Sequence, residues 1–229
     1  MSDVLYILGR GSKHEDMELR LSLRCLAENA RNIDRVFIVG NCPSWVRNVH
    51  HIPAEDTWTA ENNAFQKILK ACDSDISNDF LLMNDDFFML KEFSTLDYPY
   101  FCRGFLKDRI KPDLYGQCIE NTYNYLKEHG KPRPLDFDVH CPMRINKGAF
   151  RLLKDTAEKV KNNNTGLLCR SLYGNIFNKT GVGCTDPKLR EDVWRLPDIT
   201  GCISTSDECD NILKQLEKWF PSKSYWEVE

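Results

Sequence analysis

Asn84-Asp85-Asp86 stands between two apolar runs, Phe80-Leu81-Leu82-Met83 and Phe87-Phe88-Met89-Leu90. Carboxylate oxygens are hard donors that suit Mg²⁺ or Mn²⁺, and such ions commonly bridge to substrate phosphates. The four apolar residues ahead of the acids read as a buried strand of a parallel sheet. Charged groups are rarely buried unless they are paired or hold a metal. Neighbouring side chains on an extended chain face opposite ways. One of Asp85 and Asp86 can therefore reach a cleft as metal ligand while the other orients the loop or a water. A plain acidic turn between two strands is the alternative reading.

A second group with chemistry is His140, in Asp136-Phe137-Asp138-Val139-His140-Cys141-Pro142. A residue before proline is pushed to extended backbone, so this is a strand end or a catalytic loop. His140 has two possible roles, base toward an acceptor hydroxyl or ligand to a metal or phosphate; a histidine simply buried in a loop is the alternative. Asp136 and Asp138 are secondary base candidates that read as solvated turn acids. Arg10, in the loop Gly9-Arg10-Gly11-Ser12, could contact a phosphate through its guanidinium fork. Arg24 lies four residues from Arg20, and two like charges so placed repel unless an anion lies opposite. Both arginines otherwise read as surface residues. His50 and His51 would face opposite ways on a strand, which makes them a poor metal pair and gives them a structural or surface reading.

These groups need elements to position them. Val4–Leu8 is an apolar run that opens into the glycine loop, as at the start of an α/β nucleotide-binding domain, although the loop is neither a GxGxxG nor a P-loop. Leu19, Leu23, Leu26 and Ala30 form the apolar stripe of a helix over 15–31. Arg35–Gly40 is a second buried strand, 49–53 a short third one, and 60–72 a second helix. Strand and helix alternate up to residue 90, predicting a mostly parallel sheet flanked by helices. Acids at the end of its Phe80–Met83 strand would lie where open α/β sheets bind ligands. The remainder is less regular: helices are predicted over 121–129, 147–162, 167–177 and 207–220, with short strands around Trp194 and Ile203. The expectation is one domain over 1–229, with a nucleotide-binding half (1–90) and a less regular half (91–229).

Composition narrows the class. Hydrophobic residues at 41% and charged residues at 28% describe an ordinary globular protein, and a net charge of −3 offers no general attraction to nucleic acid or anionic membrane. No stretch approaches the roughly 20 apolar residues of a membrane helix, and Met1-Ser2-Asp3 lacks the features of a signal peptide; a cytoplasmic location is expected. Ten cysteines are scattered without a CxxC pair, so reduced thiols acting as small hydrophobes are expected.

Several of these segments together resemble the Stealth proteins, sugar-phosphate transferases of capsule synthesis related to the lysosomal-enzyme N-acetylglucosamine phosphotransferase. The likeness is carried by Glu18–Arg24, Val36–Val39, Pro43-Ser44-Trp45-Val46 with Val49-His50-His51, and the run from Asn63-Ala64 to Asn84-Asp85-Asp86. His140-Cys141-Pro142 is similar to the family's His-x-Pro motif, and Arg170 to a later arginine that handles donor phosphate. The ending Phe220–Glu227 is similar to endings of such bacterial transferases. The resemblance implies a glycosyltransferase-A-like (Rossmann-like) fold, a nucleotide-sugar donor such as a UDP-sugar, and Mn²⁺ or Mg²⁺. In that reading residues 1–90 are the nucleotide-sugar-binding half and 91–229 the acceptor-side half. Asp85 and Asp86 hold the metal, His140 and Asp86 serve catalysis, and Arg10, Arg24, Arg170 and Asn84 contact the donor. Glu61-Asn62 replaces the family's Asn-Ser, and Leu8-Gly9-Arg10-Gly11 its opening Trp-Val-Asp-Gly motif. The expected reaction is therefore transfer of a sugar to a hydroxyl acceptor, a glycan or a hydroxymethylated DNA base, with sugar-1-phosphate transfer as the alternative. A non-catalytic interaction module and a metal-dependent phosphohydrolase complete the alternatives.

Overall fold

In the computed structural model, which describes residues 1–9 and 12–228, the first half alternates strand and helix. Its elements are β1 (Ser2–Leu8), α1 (Met17–Asn29), β2 (Ala30–Arg31), β3 (Ile33–Gly40), β4 (His50–Ile52), α2 (Ala60–Cys72), β5 (Asp79–Met83) and β6 (Phe87–Met89). The second half adds β7 (Phe93–Ser94), β8 (Tyr100–Cys102), α3 (Leu114–Glu128), β9 (Met143–Asn146), α4 (Lys147–Arg151), α5 (Lys154–Val160) and α6 (Cys169–Ile176). It closes with β10 (Gly181–Gly183), β11 (Lys188–Leu189), β12 (Cys202–Thr205) and α7 (Asp210–Trp219).

The central sheet runs β4-β3-β1-β5-β9. Its first four strands are parallel and β9 is antiparallel at the edge. This is the mixed α/β architecture with a mostly parallel sheet that the alternation predicts. Both faces are covered, which is why the strands read as unbroken apolar runs. Leu5, Phe37, Val39, Phe80 and Leu82 point into a core shared with α2 and α6. Val4, Tyr6, Val36, Ile38, Leu81 and Met83 point to the other side, against α1. Helix α1 is buried on a further face, where Leu21 and Cys25 meet Ile212, Leu213 and Leu216 of α7. At the ends of β1 and β3 only glycine fits at position 40: its φ is +115° and a Cβ would stand 2.1 Å from the Leu8 carbonyl oxygen.

Three expectations change in the second half. The predicted helix at 121 begins at Leu114, where the Asp113 side chain accepts the Gly116 amide as a cap. The helix predicted over 147–162 is two helices, because the amides of Leu152 and Leu153 bond three residues back, to Ala149 and Phe150. That tightening lets Leu153 and Ala157 enter the core while Leu152 stays exposed. No strand forms at Trp194, whose ring packs edge-on against Trp219 at 4.5 Å. Ile203 does lie in a strand: β12 pairs antiparallel with β6, setting Ser204 opposite Phe87. Eight of the ten cysteines are buried and all are free thiols. Among the described residues no helix is long and apolar enough to cross a membrane.

Candidate active site

The acid pair sits in a tight turn. The Phe87 amide returns to the Asn84 carbonyl at 3.3 Å, so Asp85 and Asp86 are the two central residues between β5 and β6 rather than the end of an extended strand. The turn stands at the end of β5, beside the end of β1, where a parallel sheet leaves its ligand crevice. Asp86 faces the second sheet: its Oδ2 accepts from Lys188 Nζ at 2.7 Å and from Ser204 Oγ at 2.5 Å. Asp85 has no side-chain cation among the described residues. Burial, then the charges of Asp86 and Glu18, push its carboxyl up to about 7.

His140 is fixed by a residue that no motif marks. The Asp186 carboxylate takes His140 Nδ1 at 2.9 Å and the His140 amide at 3.1 Å. A proton on Nδ1 leaves Nε2 as the acceptor, and no hydrogen bond holds Nε2 among the described residues. Asp186 also pairs with Arg103, whose Nε donates to Asp136 at 2.7 Å. Burial raises the Asp186 carboxyl, but the His140 hydrogen bond and the charges of His140 and Arg103 outweigh it and hold it well below the usual range. The carboxylate therefore stays ionised beside the ring. Asp136 is fully buried rather than a solvated turn acid. Burial and the neighbouring Asp136 push the Asp138 carboxyl up to about 6.

Arg170 ties the two groups together. It is 7% exposed, near the start of α6. Its Nη1 donates to the Cys141 carbonyl at 2.6 Å and its Nη2 to Asn84 Oδ1 at 3.0 Å. One guanidinium thus locks the His140 loop to the Asp85-Asp86 turn, and the same bonds direct Asn84. Arg24, expected at a donor phosphate, is committed elsewhere: Nε and Nη2 both bind the Glu227 carboxylate at 3.0 Å. Arg20 joins the same carboxylate at 3.3 Å. The anion opposite the two like charges is therefore in the chain itself, and neither arginine is a free surface residue. Arg10 lies outside the described residues. His51 Nε2 is 2.9 Å from the Gly40 carbonyl and His50 stacks on Phe37, the structural roles their spacing predicts.

Two cavities meet this framework. One, of about 460 Å³, lies over the ends of β1 and β5 and is lined by Ile7, Gly9, Asp56, Asn63, Lys67 and Asn84. Its floor is built by Lys67, which is buried and donates to the Leu8 carbonyl at 2.6 Å and to Asp56 at 2.5 Å. The other, of about 780 Å³, is a basic basin with His140, Asp186, Arg103 and Lys188 in its wall. Asn84 lines the first cavity and Lys188, which is bonded to Asp86, lines the second, so the Asn84–Asp86 turn stands between them, although neither carboxylate is itself part of either lining.

The acids suit a divalent cation in donor type. Asp85 and Asp86 offer only oxygen; Lys188 already pairs with Asp86, so what a cation would relieve is the charge of Asp85 beside Asp86 and Glu18. Among the described residues no cluster of three or more metal-ligating side chains occurs; a Mg²⁺-type site needs only one or two carboxylates when phosphates and water complete the shell.

Comparison with known proteins gives a distant likeness. A stretch of 123 residues is 29% identical to the capsular polysaccharide phosphotransferase SacB of Neisseria meningitidis serogroup A, covering 48% of this chain and 22% of that protein. SacB of serogroup A / serotype 4A, strain DSM 15465 / Z2491, matches to the same extent. The matched part is thus less than a quarter of the length of these relatives. No family model matches the chain.

Proposed function

We propose that the chain is a transferase that moves a sugar phosphate from a nucleotide-sugar to an acceptor hydroxyl. The observation that carries this is the Asp186–His140 pair set across the Asp85-Asp86 turn from a sheet-edge cavity. The likeness to a capsular polysaccharide phosphotransferase favours sugar phosphate over sugar as the group transferred.

The nucleotide-sugar would lie over the ends of β1 and β5, its base side toward Asp56 and Asn63 and its diphosphate toward Asn84. Asp85, with Asp86 beside it, would hold a divalent cation there, which supplies neutralisation of charge on the diphosphate. The acceptor oxygen attacks the phosphorus that bears the sugar, the bridging phosphorus–oxygen bond breaks, and a nucleoside monophosphate leaves. His140 Nε2 takes the acceptor proton. Asp186 holds the ring in the tautomer that can do so and stabilises the charge it acquires. Arg170 keeps both loops in register and acts as a positioning residue, since its two terminal nitrogens are already committed to Cys141 and Asn84.

Product analysis tests the reading directly. Incubation with UDP-, GDP- or CMP-sugars, Mn²⁺ and a glycan acceptor mixture should release nucleoside monophosphate from a UDP- or GDP-sugar, with acceptor mass rising by a sugar phosphate. Release of UDP or GDP with a gain of sugar alone would establish glycosyl transfer instead. Turnover without any acceptor product would make the chain a phosphohydrolase.

A further inference from the structure

The basic basin has more positive charge than the reaction centre uses. On a chain of net charge −3, its wall gathers Arg103, Arg109, Lys111, Lys188, Arg190 and Arg195 against two acids, Asp113 and Asp186. Both acids are engaged: Asp113 caps α3, and Asp186 serves Arg103 and His140. Lys188 is matched by Asp86, and Arg103 by Asp136 and Asp186. Arg109 approaches Asp136 only at 3.6 Å, on an oxygen that Arg103 already holds at 2.7 Å. Lys111, Arg190 and Arg195 meet no carboxylate within 4.0 Å among the described residues. Arg195 spends its Nη2 on the carbonyls of Asp186 and Lys188, which carry no net charge.

Unmatched cations around one cavity repel each other, and an entering anion removes that repulsion. A cavity of about 780 Å³ is larger than a single phosphate needs and suits a sugar with its phosphate. The lining contains two rings, Tyr115 and the His140 imidazole, and the latter is held by Asp186. Strands of nucleic acid are held by stacking on successive aromatic side chains as well as by cations, and the basin offers no such platform.

We infer that the basin is the acceptor station and that the acceptor is itself a phosphorylated glycan, its phosphate held by Lys111, Arg190 and Arg195 and its hydroxyl beside His140. This rests on the donor occupying the sheet-edge cavity, as proposed above. The basin thereby selects acceptors by charge before chemistry begins.

Calorimetric titration of the full chain with glucose 6-phosphate, glucose and a short oligo-dT tests the inference, with UDP binding followed separately by thermal shift. Glucose 6-phosphate should bind at least ten times more tightly than glucose. Lys111→Glu combined with Arg190→Glu should weaken glucose 6-phosphate at least tenfold and leave UDP binding in place; Arg195→Gln, a milder change, should weaken it several-fold. Equal affinity for glucose and glucose 6-phosphate overturns the inference. So does a parallel loss of UDP binding in the charge-reversed protein, which would make the basin the donor's site, and so does oligo-dT binding more tightly than glucose 6-phosphate. Wild-type protein that takes glucose 6-phosphate but no UDP, GDP or CMP counts against the donor reading while supporting an anion-selective basin.

Discussion

Asp186 grips His140 twice, at the ring Nδ1 and at the backbone amide, with one carboxylate oxygen at 2.9 and 3.1 Å. Ring and backbone cannot shift independently of that carboxylate, so the imidazole is oriented before any substrate arrives. Asp186→Asn should lower kcat about 10²- to 10⁴-fold, the range of general base catalysis, with a much smaller change in donor KM. His140→Ala should cost a similar factor. The double variant should be little worse than either single one, because the two residues act as a unit. Steady-state kinetics of the three variants checks this; additive losses would separate Asp186 from the base.

Arg170→Lys keeps the charge but removes the fork that reaches Cys141 and Asn84 together. A lysine can satisfy one of those acceptors, leaving the other loop untied. The expected result is a fall in kcat of about tenfold or more with a stability loss of about 1–3 kcal/mol, since a buried hydrogen bond to a charged group is lost. Urea unfolding and kinetics on the same preparation measure both. Unchanged kcat would show that the two loops hold their places without it.

Asp85 predicts an unusual pH response in metal-free protein. Its native carboxyl keeps a proton up to about pH 7, while in the unfolded chain it ionises near its ordinary value of about 3.9. The native state thus binds the extra proton between those values, and this residue's contribution falls as pH rises through that window. Asp85→Asn should raise the melting temperature at pH 7.5 by about 3–6 °C, equivalent to about 1–2 kcal/mol for a chain of this size, and should do little at pH 4. Mn²⁺ should stabilise the wild type at pH 7.5 and not the variant. Scanning calorimetry across pH 4–8, with and without Mn²⁺, reads both effects.

Glu227 predicts the opposite slope. Burial raises its carboxyl, but Arg24 and the Ser224 amide outweigh that and hold it below its ordinary 4.5. The stabilisation is present above the unfolded value and is lost as pH falls through the lower native one. Glu227→Gln should cost about 3 kcal/mol at pH 7, because it leaves two arginines facing a buried neutral amide. The deficit should shrink toward pH 3. Denaturant midpoints of both proteins at pH 3 and pH 7 give the comparison; a deficit independent of pH would assign the loss to packing alone.

The first half of the fold was legible because each element carries its own period. Val4–Leu8, Val36–Val39 and Phe80–Met83 are apolar throughout, and Leu19, Leu23 and Leu26 keep helical spacing. The acid turn and His140 were legible as residue types but not as partners. Asp186 lies 46 positions from His140 and 83 from Arg103, and no local pattern encodes contacts of that separation. The only nearby signal is Asp186 directly before Pro187, the kind of stiffened, pre-proline position that also marks Cys141-Pro142. Arg24 misled for a related reason. Four-residue spacing marks a like-charged pair, but the neutralising carboxylate stands 203 residues away. Trp194 misled because an aromatic in a loop, packed on Trp219, has the same composition as one in a strand.

The binding of Arg20 and Arg24 to Glu227 has a consequence for how the chain comes together. The first helix presents two cations whose carboxylate partner among the described residues is in the closing segment, and that segment is strapped down by Trp45, Val46 and Arg47 through backbone bonds. The circuit closes across almost the whole polypeptide, so the opening strand–helix–strand unit is left electrically unfinished until the tail docks. Severing the chain near residue 90 would therefore not yield two self-sufficient halves, and a label fused close to Trp226 would be felt at the beginning of the sequence.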